Sequence, residues 1–348
     1  MWFPKFGDGC QSRINNGIIQ KRMESKTILA PKVSVIVPVY GVEKYIERCV
    51  RSLFGQTLDD IEYLFVNDCT PDRSMEILSS VLEEYSQRKD QVVIHRMEHN
   101  SGQAAVRQWG MLHSTGEYVI FCDSDDWVNC NMYKLMYDKA IEEEADVVVC
   151  DFNITNGEKV LRTVKGCSST NKELFIKQIL LQCDPWSLCN KLFRRTICYN
   201  ADLVYPKGNM GEDFVITTQL LLNSEKIVHI AQPLYNYFIN TYSITRVEAE
   251  EKKMENFRMN KENADIVYDI LNDYGFDVRF SQALVSNKWY IKKLLWNTSF
   301  STEKRKLWKE TYGEINNKII SNSHISVKDK VKFILTYMHL FPRQSKNR

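Results

Sequence analysis

No stretch of the 348-residue sequence reaches the ~18 consecutive apolar residues that a membrane-crossing helix requires; its apolar runs are short and end at charges. An export signal is missing too. The first thirty residues carry Lys5, Arg13, Lys21, Arg22 and Lys26, with no apolar segment of signal-peptide type among them. These absences predict a protein kept in the cytoplasm, free or resting on the inner face of the membrane. Cys-x-x-Cys pairs are absent although there are 10 cysteines, which sit in apolar segments such as those ending at Cys122 and Cys150. They read as reduced core residues rather than a disulfide framework or a zinc site. An excess of one charge is also lacking: a formal net charge of +2 carries no nucleic-acid signature, and any basic surface is local. Internal repeats and low-complexity tracts are not found, and no glycine-rich phosphate loop supports a nucleotidyltransferase.

What is present, 44% hydrophobic and 26% charged residues, is the composition of an ordinary globular protein. The length suits one large domain plus an appendage, because single cores stop growing near ~250–300 residues. Residues 1–30 lack periodicity and read as a flexible leader. From Val33 the pattern changes. A β-branched run over 33–39 is followed by helical spacing over 42–53, and the unit repeats as strands over 61–66, 91–95 and 117–122 with helices over 74–85 and 102–113. A helix over 131–144, a strand over 145–152, helices over 171–183 and 213–223, and an extended aromatic stretch over 226–239 follow. From about residue 248 the spacing is helical throughout. Strands alternating with helices predict a parallel sheet covered on both faces, with ligands bound beyond the carboxyl ends of its strands.

Three acidic clusters fall where such ligands would sit. Asn67-Asp68 ends the second strand, Asp123-Ser124-Asp125-Asp126 ends the fourth, and Gly211-Glu212-Asp213 lies downstream. Three carboxylates within four residues repel one another unless a cation joins them, and hard oxygen ligands suit Mg²⁺ or Mn²⁺. Such an ion takes its remaining ligands from substrate phosphates, so few protein carboxylates suffice. Asp72 reads as a cap for the helix beginning near Ser74.

Val33-Ser-Val-Ile-Val-Pro38-Val39-Tyr40, Phe65-Val-Asn-Asp68-Cys-Thr-Pro-Asp72-Arg-Ser74, Asn100-Ser-Gly102, Asp123-Ser-Asp125-Asp126, Trp186-Ser-Leu-Cys-Asn-Lys191-Leu-Phe-Arg194-Arg195, Gly211-Glu212-Asp213 and the stretch from Tyr235 to Thr245 stand in an order and spacing that resembles the family 2 glycosyltransferases of bacterial surface-polysaccharide type. The resemblance implies an α/β GT-A nucleotide-diphospho-sugar transferase fold, a mostly parallel sheet flanked by helices with a C-terminal helical appendage. The implied division is a leader over 1–30, a catalytic domain over 31–246, with donor-nucleotide (31–130) and acceptor (131–246) halves, and a helical region over 247–348. The resemblance further implies that Pro38, Val39 and Tyr40 line the nucleotide base, Asp68 binds the base or ribose, Arg107 faces the donor and Asp123 holds the ribose. Asp125 would ligate the metal, with Asp126 a second candidate ligand. Where the family often has Asp-Gly-Ser, this chain has Asp68-Cys69-Thr70.

An inverting transfer needs one base opposite the leaving diphosphate. Asp213 matches the acidic position that the family uses, with Glu212 the runner-up; both also read as acidic residues opening a helix. Trp127, Trp186, Tyr235, Tyr237 and Tyr242 read either as platforms for sugar rings or as core. Residues 327–343 alternate lysines with apolar residues and read either as an interfacial helix or as a helix packed on its own core or at a homodimer contact. The expected function is inverting transfer from a UDP-sugar to a saccharide or lipid-linked saccharide acceptor in surface polysaccharide or glycolipid synthesis. The alternative is a non-catalytic nucleotide-sugar-binding assembly subunit.

Overall fold

The computed structural model describes residues 30–199, 203–239, 249–298 and 301–340. The expected leader, apart from Ala30, lies outside the described residues, as do Tyr242, Thr245 and the end of the tail from 341 to 343.

Strand β1 (Val33–Val39) is buried along almost its whole length because both of its edges and both of its faces are covered. It pairs in parallel with β2 (Ile61–Asn67) on one side and β4 (Tyr118–Phe121) on the other, and β2 pairs in parallel with β3 (Val92–Arg96). The connections are α1 (Ile46–Phe54), α2 (Ser74–Glu84) and α3 (Gln103–His113). Helix α1 shows why the spacing was readable: Ile46, Cys49, Val50, Leu53 and Phe54 make one buried stripe, with charged residues between them.

Beyond β4 the sheet becomes mixed. After β5 (Trp127–Val128) and α4 (Met132–Glu142), β6 (Val147–Thr155) turns back as a hairpin into β7 (Val160–Val164); α5 (Lys172–Leu180) and β8 (Lys191–Arg194) follow. The strand order is β3-β2-β1-β4-β8-β6-β9-β5, with β9 spanning Ile227–Phe238 and β7 off the path on β6. Short β8 slots antiparallel between β4 and β6, and β9 runs parallel to β6. The long strands therefore keep one direction, while β5, β7 and β8 run against it. The parallel expectation holds for the strands that carry the site loops.

Helix α6 (Glu212–Leu222) is buried on nearly every side because α5 packs on it from one direction and α7 (Glu250–Asp273) from another. After α7 come α8 (Ser281–Lys293), α9 (Thr302–Glu310) and α10 (Val327–Tyr337), held by an aromatic cluster in which Trp289 meets Trp308 and Phe333 edge to face. The described residues from Pro31 onward form one compact unit. The expected boundary near 246 lies outside the described residues. No helix among the described residues is long and apolar enough to cross a membrane. The nine described cysteines are free thiols, and six of them are buried.

Candidate active site

A cleft of about 970 Å³ opens at the carboxyl ends of β1, β2 and β4. Pro38, Val39 and Tyr40 line it at the end of β1, and Tyr40 is half exposed at its rim. The next loop braces this wall. Thr70 Oγ1 accepts from the Gly41 amide at 2.8 Å, and the Asp72 carboxylate accepts from the Glu43 amide at 2.9 Å and from the Ser74 amide and hydroxyl. The cap position of the helix is Arg73 rather than Asp72; Asp72, one residue earlier, accepts from the helix's first amide and ties two loops together. Asp68 lines the cleft, but its two oxygens already accept from the amides of Ser101 at 2.7 Å and Gly102 at 2.8 Å. Its carboxylate fixes the loop entering α3, leaving only second lone pairs for a ligand. The departure at Cys69 has a backbone consequence: this residue sits at φ 57, the left-handed region that glycine occupies freely and that costs other L-residues ~1–2 kcal/mol. Its thiol donates to Met97 O at 3.1 Å, a partial offset.

Gly102 also has positive φ, and a Cβ there would collide with the side chain of Asn209. That close approach lets Asn209 Oδ1 accept from the Ala104 amide at 3.2 Å, capping α3 from across the cleft.

The β4 loop divides its three carboxylates. Asp123 Oδ1 accepts from Gln103 Nε2 at 3.1 Å and from Arg107 Nη2 at 2.8 Å. Asp125 lines the cleft, and Arg48, stacked 3.7 Å from the Trp127 ring, donates to its carbonyl. Asp126 turns the other way. It is 1% exposed, accepts from the Tyr235 hydroxyl at 2.5 Å and from the Phe238 amide at 2.6 Å, and does not line the cleft. Burial, with Asp125 and Asp123 alongside, pushes its carboxyl well above the usual carboxylate range. Asp126, the second candidate metal ligand, ties the β4 loop to β9 in this structure.

Arg107 joins the two halves of the site. Its guanidinium, 1% exposed, donates to Asp123, to Glu212 Oε1 at 2.8 Å and to Asp213. Burial would lower its pKa, but the three carboxylates outweigh that and hold it charged. Burial raises the Asp213 carboxyl above the usual range even with Arg107 pulling it down. Burial and Asp213 together push Glu212 well above the usual range. Glu212 is the more enclosed of the two, and both line the cleft. Arg107 was expected only to face the donor. It lines the cleft and also bridges the β4 loop and the start of α6.

Among the described residues no group of three or more His, Cys, Asp or Glu is arranged to hold a metal. A hard cation beside Asp125 would need oxygens from its ligand to fill its shell, which fits the donor chemistry expected for a diphosphate.

Of the aromatic residues, Trp186 and Tyr237 line the cleft. Trp127 is covered by Arg48, and Tyr235 is buried with its hydroxyl on Asp126. Gln103, Asn209, Lys252, Asn260 and Tyr290 also line the cleft and were not expected. The last three come from α7 and α8, so the C-terminal helices build part of the wall. Lys191 was anticipated only within a motif. Its buried ammonium donates to Pro185 O, Ser187 O at 2.6 Å and Asn190 Oδ1, and burial lowers its pKa to about 8. It shapes the loop carrying Trp186.

A family model described as glycosyl transferase family 2 matches residues 34–200. The chain is 31% identical over 231 residues to glycosyltransferase GlyA of Streptococcus pneumoniae, an alignment covering 63% of this chain and 32% of that one. It is 32% identical over 229 residues to the uncharacterized glycosyltransferase EpsJ of Bacillus subtilis, covering 63% and 64% of the two chains. The match thus spans a third of one relative and just under two thirds of the other. Among solved structures, Staphylococcus aureus TarS 1–349 in complex with UDP-GlcNAc superposes with a TM-score of 0.55 at 19% identity, over 88% of this chain and 92% of that one. At that identity the likeness speaks for the fold.

Proposed function

We propose, on the match of residues 34–200 to glycosyl transferase family 2, that the chain transfers a sugar, with inversion, from a UDP-sugar to a saccharide or lipid-linked saccharide acceptor. The observation carrying this reading is the Arg107 bridge. It sets Asp123, on the loop after β4, against Glu212 and Asp213 at the start of α6, on the wall of one cleft. In the proposed reaction Asp213 takes the proton of the attacking acceptor hydroxyl, whose oxygen bonds to the anomeric carbon as the bond from that carbon to the diphosphate breaks. Pro38, Val39 and Tyr40 hold the base, and Asp123 the ribose. Asp125 is the residue that would hold Mg²⁺ or Mn²⁺, and such an ion neutralises charge on the departing diphosphate.

The relatives include poly(ribitol-phosphate) glycosyltransferases, which supports a polymer acceptor. The test is UDP release from a panel of UDP-sugars with Mn²⁺. Release above background with at least one donor is expected; donor binding without any release, with or without saccharide acceptors, would favour the non-catalytic subunit.

The cytoplasmic, membrane-facing part of this proposal rests on α10. Phe333 and Tyr337 pack on Trp308, while Val327, Val331, Ile334 and Met338 form an exposed stripe at helical spacing. Lys328 and Lys330 flank it, and the nearby Asp329 is turned toward Lys293 at 3.1 Å. An apolar stripe beside lysines complements an anionic lipid surface. The protein is expected to co-sediment with vesicles containing phosphatidylserine and not with phosphatidylcholine alone, and V331E/I334E should abolish this while leaving Tm unchanged. Equal sedimentation of both proteins, or a dimer that the double variant dissolves, would rule the membrane contact out.

A further inference from the structure

A second cavity, of about 490 Å³, lies beside the main cleft and shares Trp186 and Tyr290 with it. The two rings meet at 6.0 Å, nearly edge to face, and Trp186 also lies 4.8 Å from Phe214, the residue after Asp213. The aromatic pair is therefore a common wall, with the candidate base on one side and the second cavity on the other. The volume falls in the range of small-ligand sites, ~300–1,000 Å³.

Its lining is sorted in a way that suits one kind of ligand. Trp186 and Tyr290 offer ring faces to the C–H faces of a sugar. Thr163 and Asp184 offer oxygen acceptors to sugar hydroxyls. Arg162 and Lys165 stand exposed on the strand β7 and just after it. Neither forms an ion pair with a described residue. A guanidinium and an ammonium three residues apart along one rim suit a phosphate or carboxylate.

We propose that this cavity is an acceptor subsite, holding the part of an anionic saccharide or polyol phosphate next to the hydroxyl that attacks in the main cleft. The proposal rests on the transferase reading and deepens it. The acceptor then enters from the β7 side, passes the Trp186–Tyr290 wall, and delivers its terminal hydroxyl toward Asp213. Its negative group rests on Arg162 and Lys165, far enough from the donor diphosphate that the two anions do not compete for one cation. The same arrangement favours charged acceptors over neutral ones, since Arg162 and Lys165 interact with the charge and the rest of the lining with the sugar.

The probes are cellobiuronic acid, ribitol 5-phosphate and neutral cellobiose, titrated into the full chain saturated with UDP and Mn²⁺. At least one charged probe is expected to bind about tenfold tighter than cellobiose, a gap that closes in R162A/K165A and in high salt. Both residues are exposed, so the variant should fold with unchanged Tm and UDP affinity. Preference for ribitol 5-phosphate identifies a phosphate as the anion, and preference for cellobiuronic acid identifies a carboxylate. Equal binding of charged and neutral probes, no binding of any probe, or charged binding unchanged in R162A/K165A would each overturn the subsite. Failure of UDP itself to bind would instead overturn the transferase reading, so the two failures are told apart.

Discussion

Replacing Arg107 with methionine is expected to lower stability at neutral pH by ~3–5 kcal/mol, because it leaves carboxylates buried with no counter-charge. The residue is 1% exposed and contacts Asp123, Glu212 and Asp213 at once. In a chain of this size such a loss corresponds to roughly 5–10 °C in Tm. The sign of the pH dependence follows from the carboxyls. Glu212 and Asp213 already titrate above their unfolded values, and removing the cation raises them further. A group with a raised folded pKa destabilises the fold when ionised. The penalty is absent below the unfolded value near ~4 and grows as pH rises toward the folded one. Arg107→Met should therefore lose most against the wild type near neutrality and least near pH ~4. Adding Glu212→Gln should recover part of the loss, since one fewer buried acid then lacks a partner. Thermal melts across pH on the three proteins measure this. A deficit independent of pH, or a double variant no better than the single one, would mean that Arg107 acts through packing alone.

How much of this site was legible in the sequence depended on the distance over which each residue finds its partner. The β1, β2 and β4 loops announced themselves because apolar β-branched runs end at Asn, Asp and Ser. Strands β5, β7 and β8 did not. β5 spans Trp127–Val128, and β8 puts lysine and arginine into a strand whose buried character comes only from β4 and β6 on either side. Asp125 and Asp126 are equivalent as letters, and only Tyr235, 109 residues away, separates them. Arg107 carried a charge whose direction could be guessed, but its bridging role needed Glu212, 105 residues downstream. Asn209, Lys252 and Asn260 left no signal at all, because a polar residue at a helix start or on a helix face reads as solvated surface until another element meets it. Tyr290 read as one more helical aromatic.

Asp213→Asn is expected to remove ~10²–10⁴ of the turnover while leaving UDP affinity within about threefold, because a general base acts on the acceptor and not on the nucleotide. Asparagine keeps the size of the side chain and an oxygen that still accepts from Arg107. It also removes a charge that burial disfavours, so Tm should move little. The pH profile separates chemistry from damage. Activity requires ionised Asp213, and its carboxyl is raised by burial, so the acid limb of kcat in the wild type should lie above the ordinary carboxylate range. The residual activity of Asp213→Asn should lack that limb. Glu212→Gln is the informative contrast. Glu212 is the more enclosed acid, and burial with Asp213 beside it pushes it toward the protonated form that glutamine mimics, so its replacement should cost much less turnover than that of Asp213. If Asp213→Asn keeps most of its activity while Glu212→Gln loses it, the base is Glu212, and the charge rests on the opposite member of the pair from the one that burial selects.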